Sequence, residues 1–116
     1  MKAKEIMELL DAQLLCGDLP EEDIRSACGS DMMSDVLAFH EERMVLLTGL
    51  TNPHVVRTCE MLDAPLIVFV RGKIPAQDLL EMAVERNLTV MATPCTLYEA
   101  CGRLYQNGLP GWSARS

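Results

Sequence analysis

Apolar residues in this chain gather into short blocks that alternate with amphipathic stretches. Residues 44–48 (Met-Val-Leu-Leu-Thr), 66–70 (Leu-Ile-Val-Phe-Val) and 88–92 (Leu-Thr-Val-Met-Ala) are the three clearest blocks. Each ends in turn chemistry: Thr48-Gly49-Leu50-Thr51-Asn52-Pro53, then Arg71-Gly72-Lys73-Ile74-Pro75, then Thr93-Pro94-Cys95-Thr96. Each turn opens a stretch whose apolar positions recur at helical spacing. Strands alternating with helices of about 10–15 residues predict βαβ crossovers and a parallel sheet. The uniformly apolar block 66–70 reads as a central strand covered on both faces. The expected fold is α/β, a three-layer sandwich with a mainly parallel sheet built from consecutive βαβ units.

The remaining segments follow the same logic. Residues 2–11 put Ile6, Met7, Leu9 and Leu10 on one helical face. Residues 13–16 read as a short strand closed by Gly17-Asp18-Leu19-Pro20, and residues 24–28 as another before Gly29; whether 13–28 holds one strand or two stays open. Ser30-Asp31 reads as a helix start, with Met33, Val36, Leu37 and Phe39 facing inward. Asn52 followed by Pro53 is a strong start signal, a capping side chain and then proline at the first helical position. Pro75 is expected to open the next helix, and Cys95 or Thr96 the last. That helix runs through Leu97, Ala100, Cys101, Leu104 and Tyr105, and Asn107-Gly108 ends it as a left-handed cap. Residues 1–109 are expected to form a single domain, with residues 110–116 as a C-terminal tail or partner contact.

Composition narrows the function. With 116 residues, one layered core is the natural count. Aromatic residues are only 4% of the chain, so Leu, Val, Met and Ala must fill that core. The formal net charge of −7 argues against nucleic acid, whose phosphates need clustered Lys and Arg, and against an anionic membrane surface. No stretch approaches the 18 or so apolar residues of a spanning helix. The N-terminus lacks the apolar core of a signal peptide, and a cytoplasmic location is expected. The five cysteines are odd in number and contain no C-x-x-C pair, which fits free thiols rather than a disulfide or zinc framework. No metal and no cofactor is expected.

Parallel α/β sheets bind ligands outside the carboxyl ends of their strands. The three turns there carry Thr48, Gly49, Asn52, His54, Arg71, Gly72, Lys73 and Thr93 as candidate ligand-binding residues. Helix N-termini attract anions, and Arg71 with Lys73 is the only basic pair at a strand's carboxyl end. A small anionic or nucleotide-like ligand is the reading this favours. Gly, Asn, Thr and Pro also serve turns and caps for backbone reasons alone. His54 has no carboxylate or nucleophile partner nearby in sequence. Cys95 stands near a helix N-terminus, where a thiol's pKa falls, but lacks a paired base or resolving cysteine. Asp31 and Asp35, four residues apart at a helix start, fall short of a magnesium site without a third ligand or a phosphate. No phosphate-loop, dinucleotide or hydrolase motif occurs. A catalytic role through His54 or Cys95 is therefore the third choice, behind a ligand-binding module and a protein-contact scaffold.

Several stretches resemble the DRTGG domain family, a small α/β module found alone, between CBS domains of some pyrophosphatases and within some phosphate acetyltransferases. The N-terminal domain of HPr kinase/phosphorylase looks similar. Residues 30–38 are similar to the family's Ser-Asp-rich helix start, and Leu46-Leu47-Thr48-Gly49 to its strand ending in Thr-Gly-Asp-Arg. Residues 66–72 stand at the strand ending in Thr-Gly-Gly, and Val90-Met91-Ala92-Thr93-Pro94 resembles the closing strand. Leu50-Thr51 replaces the Asp-Arg, and Val70-Arg71-Gly72 the Thr-Gly-Gly. The resemblance reaches to about Leu109. It implies a non-catalytic regulatory module, typically a homodimer.

Overall fold

Residues 44–48, 66–69 and 89–92 are buried along their whole length, which demands a sheet covered on both faces. A computed structural model describes residues 1–112 and provides that cover. Its elements are α1 (Ala3–Leu9), β1 (Gln13–Cys16), β2 (Ser26–Gly29), α2 (Met33–Ala38), β3 (Met44–Thr48), α3 (Pro53–Met61), β4 (Leu66–Phe69), α4 (Gln77–Glu85), β5 (Thr89–Ala92) and α5 (Leu97–Gln106). The sheet order is β1-β5-β4-β3-β2. Strands β2 to β5 pair in parallel, each crossover moving the chain one position across the sheet. Crossovers of one hand that step in one direction leave their helices on one face. Accordingly α2, α3 and α4 share that face, while α1 and α5 cover the other.

Successive strand residues point to opposite faces. Met44, Leu46, Ile67, Phe69 and Val90 meet Val36, Val55, Val56, Cys59, Leu79 and Ala83 on the first face. Val45, Leu47, Leu66, Val68 and Met91 meet Ile6, Ala100 and Leu104 on the second. Each Val, Leu, Ile, Phe or Met among them contributes about 1.5–3 kcal/mol on burial.

The sheet is mainly parallel, as expected, but mixed, because one edge strand runs the other way. β1 runs antiparallel to β5, with a register shift between Leu14 and Cys16. An edge strand need not be reached by a crossover from its neighbour, so it is free to run the other way. Residues 13–28 thus supply two strands, at opposite edges. The edge at β2 is covered by the segment after α5: the Ala27 N–H donates to the Pro110 carbonyl (2.9 Å), and Trp112 packs on Phe39 with ring centroids 4.9 Å apart. Of the expected tail, residues 113–116 lie outside the described residues.

Helix starts shift where a side chain has other work. α2 begins at Met33 rather than at Ser30-Asp31, because the Asp31 carboxylate is engaged across the sheet. α4 begins at Gln77, two residues past Pro75. The Asn52 and Thr96 caps form as expected, their side chains accepting from His54 N–H (3.0 Å) and Glu99 N–H (3.3 Å). Leu37 and Phe39, expected inward, are instead exposed, and Tyr105 on α5 is exposed as well.

Gly17 marks the tightest backbone approach. Its φ is +85°, and a Cβ there would lie 2.7 Å from the Leu88 carbonyl oxygen and 2.9 Å from Thr89 Cα. Gly108 also has positive φ (+100°), with nothing within 4 Å. Gly17→Ala should therefore cost at least about 1 kcal/mol more than Gly108→Ala, roughly 4 °C in Tm. Equal melting shifts for the two variants would show that the 17–18 turn is free to move off β5.

Candidate functional site

Because β2, β3 and β4 are adjacent and parallel, their carboxyl ends meet in one place. β3 ends in Thr48, fully buried, whose hydroxyl needs an acceptor there. Asp31, two residues beyond the end of β2, supplies it. Asp31 Oδ1 accepts from Thr48 Oγ1 (2.9 Å) and from the Gly49 N–H (2.7 Å). The Gly49 N–H holds the Asp31 carboxyl below its ordinary range; partial burial opposes this, while the Thr48 hydroxyl and the positive charges of Arg71 and Lys73 reinforce it. Asp31 Oδ2 makes no hydrogen bond among the described residues, and the residue is exposed.

From the end of β4, two basic side chains reach the same point. Lys73 Nζ donates to the Gly49 carbonyl (2.9 Å). Arg71 lies against Gly49 so closely that a Cβ on that glycine would sit 2.9 Å from a terminal guanidinium nitrogen. The same Cβ would be 3.5 Å from Asp31 Oδ1, so Gly49 separates the cation from the carboxylate. Arg71 makes no ion pair within 4.0 Å and no side-chain hydrogen bond among the described residues. Its backbone is strained. Arg71 and Gly72 have φ of +60° and +68°, and the Lys73 N–H closes the turn on the Val70 carbonyl (3.3 Å). Two central residues at positive φ are the mark of a type I′ turn, which favours Asn-Gly and disfavours a long side chain first. The end of β5 enforces the conformation: the Arg71 N–H donates to the Cys95 carbonyl (2.7 Å) and the Gly72 N–H to the Thr93 carbonyl (2.9 Å).

Thr48, Gly49, Arg71, Gly72 and Lys73 are thus brought together, with Asp31 as a partner that sequence reasoning placed in a helix cap. Asn52 and His54 lie on the α3 N-terminus that follows, both exposed, with the Asn52 side chain engaged by the helix. Thr93 points elsewhere, its buried hydroxyl donating to the Leu10 carbonyl. Cys95 Sγ lies 3.7 Å from the same carbonyl. Burial pushes the thiols of Cys16, Cys28 and Cys101 up, and that of Cys59 up to about 12, so none of these four is a ready thiolate. Among the described residues no group of three His, Cys, Asp or Glu is placed to hold a metal ion. No described helix is long and apolar enough to cross a membrane.

At the strand ends Asp31, Arg71, Gly72 and Lys73 are exposed, while Thr48 and Gly49 are buried. Two clefts of about 390 and 360 Å³ lie elsewhere, one between β1 and α4, the other between β2 and α5. The second is flanked by Tyr98 and Tyr105, 88% and 74% exposed.

No family model matches the chain, and no curated protein does. Among solved structures, the chain is similar to the CBS and DRTGG domains of the regulatory region of a Clostridium perfringens pyrophosphatase, crystallised with its activator diadenosine tetraphosphate. The likeness has a TM-score of 0.75 at 20% identity, and covers 94% of this chain and 47% of the other. This chain therefore has an α/β fold shared with that regulatory region, and spans about half its length.

The Asp31 contact carries a pH signature. Its carboxyl is held low in the folded state, so its contribution is complete above the ordinary carboxylate value near 4 and is lost as pH falls through the lowered one. Chemical denaturation from pH 6 to pH 2.5 should find Asp31→Asn less stable than wild type at pH 6, with the gap closing below about pH 4. A gap independent of pH would mean that the charge on Asp31 does not strengthen the contact.

Proposed function

We propose that this chain is a non-catalytic regulatory module of DRTGG type. In this reading it binds a small anionic or nucleotide-like ligand on the shelf formed by Thr48, Gly49, Arg71, Gly72 and Lys73, with Asn52 and His54 at its rim. It acts in the cytoplasm as a homodimer and reports the ligand to a larger system. The observation that carries the reading is Arg71, a guanidinium with no ion pair within 4.0 Å among the described residues, set at a strand's carboxyl end by a backbone conformation that is costly for arginine. Strain of this kind persists where surrounding bonds impose it, and it clusters at ligand sites. The similar regulatory region was crystallised with a nucleotide activator, which supports an anionic ligand of this class. A second reading, a protein-contact module without a small ligand, is favoured by the exposed Tyr98 and Tyr105 beside the β2–α5 cleft.

Thermal unfolding against nucleotides, phosphorylated sugars and simple anions tests the first reading. A ligand at a hundred times its Kd adds about 2.7 kcal/mol, a shift on the order of 10 °C for a domain this small. Arg71→Asn is the informative variant, because Asn-Gly is the preferred pair for this turn. It should melt at the wild-type temperature or up to about 4 °C higher, the gain of roughly 1 kcal/mol expected from relieving the strain, and show no ligand shift. Silence across the panel, or a shift that survives in Arg71→Asn, would sink this reading in favour of protein contacts.

A further inference from the structure

The proposed shelf is not a simple anion seat, since a carboxylate already stands in it. Asp31 Oδ1 takes the two donors that the end of β3 offers, the Gly49 N–H and the Thr48 hydroxyl. An incoming anion therefore finds those donors occupied and must rest on the cations at the end of β4. It also meets Asp31 Oδ2, an exposed acceptor with no hydrogen bond among the described residues. No nitrogen of Arg71 or Lys73 comes within 4.0 Å of the Asp31 carboxylate, so acceptor and cations stand apart across Gly49. A ligand that fills this arrangement presents hydrogen-bond donors on one side and negative charge on the other.

The charges decide its class. Two cations and one carboxylate leave the shelf net positive, and a zwitterion such as a free amino acid would leave that charge uncompensated. A phosphate ester carrying neighbouring hydroxyls meets both demands. A carboxylate is an acceptor only, with capacity for two donors on its free oxygen, as neighbouring sugar hydroxyls provide. The same division of labour occurs in dinucleotide-binding α/β folds, where an acidic residue at a strand end takes the ribose hydroxyls.

We propose that Asp31 is a specificity-determining residue of this site, accepting hydrogen bonds from the vicinal hydroxyls of a phosphorylated sugar whose phosphate lies on Arg71. The inference rests on the anionic-ligand reading and narrows it to ribonucleotides or free sugar phosphates. Lys73, tied to the Gly49 carbonyl, fixes the loop between the two contacts and adds its charge.

Titration calorimetry with adenosine 5′-monophosphate, its 2′-deoxy and 2′,3′-dideoxy forms, ribose 5-phosphate and inorganic phosphate tests this. Wild type should bind the ribonucleotide about tenfold or more tighter than the dideoxy form, the scale of a hydrogen bond to a charged group. Equal binding of ribose 5-phosphate would assign the site to sugar phosphates, and markedly weaker binding to nucleotides. Asp31→Asn keeps an acceptor for Thr48 and Gly49 but replaces the free oxygen with an N–H donor. It should lose the preference for hydroxyls while binding inorganic phosphate at least as well as wild type. If phosphate compounds bind through Arg71 but wild type does not distinguish the ribo from the dideoxy form, this inference is overturned and the anion-binding reading stands. If none of the compounds binds, both fall.

Discussion

Burial on both faces is the constraint from which the rest of the molecule follows. Every residue of β3, β4 and β5 is buried, so these strands have no solvent face on which to carry polar side chains. Polar chemistry is pushed to the strand ends. At the amino ends, the buried Ser26 and Thr89 hydroxyls donate to the Glu42 and Asp18 carbonyls, and Arg86 pairs with Glu60 at the surface (3.2 Å). At the carboxyl ends, the buried Thr48 and Thr93 hydroxyls need internal acceptors, and the next helices begin only after turns. Asp31 and the Leu10 carbonyl are those acceptors. Among the described residues no buried side-chain polar atom is left without a partner. The network around Asp31 is thus first a requirement of folding, and its exposed face is what remains for a ligand.

The strained backbone positions differ in what their side chains do. Among the described residues, five non-glycine positions adopt positive φ: Asp11, Arg43, Asp63, Arg71 and Asn87. Asp and Asn tolerate that region because their short side chains can bond the local backbone. The two arginines lack that excuse. Arg43 has a structural use, with Nε donating to the Asp23 carbonyl (3.3 Å) and an ion pair to Glu22 (3.6 Å) that tie the 22–23 loop to the start of β3. Arg71 has no comparable tie among the described residues, since its backbone alone is held by β5. Its positive φ is imposed by those backbone bonds and serves no side-chain contact among the described residues.

The sequence displays most of this fold because its information is local. Uniform apolar runs, an Asn-Pro helix start and a Thr cap are read from adjacent residues, and β3, α3 and α5 appear where those signals put them. What the chain does not display is pairing across distance. Asp31 and Thr48 are 17 residues apart and Thr93 and Leu10 are 83 apart, so one looked like a helix cap and the other like a ligand contact. The direction of β1 is hidden for the same reason, since four residues carry no mark of their neighbour's polarity. Arg71 and Lys73 were legible as a basic pair, yet the positive φ of Arg71 was not, because nothing local demands it. The bonds to Thr93 and Cys95 impose it.

The strand-end site and the aromatic cleft are joined by short paths of chain, packing contact and hydrogen bond. Gly29 ends β2 against Cys101 and Leu97 of α5, and Asp31 follows it by two residues. On the other side, the Arg71 N–H is bonded to the Cys95 carbonyl, two residues before α5 begins. A displacement of either Asp31 or the 71–72 turn therefore bears on the seat of the helix that carries Tyr98 and Tyr105. A ligand shifts an equilibrium only by its difference in affinity between two arrangements, and these contacts are where two arrangements would differ. The strand-end turns and the aromatic face of α5 are thus tied to one helix's attachment to the sheet, through Gly29 on one side and Cys95 on the other.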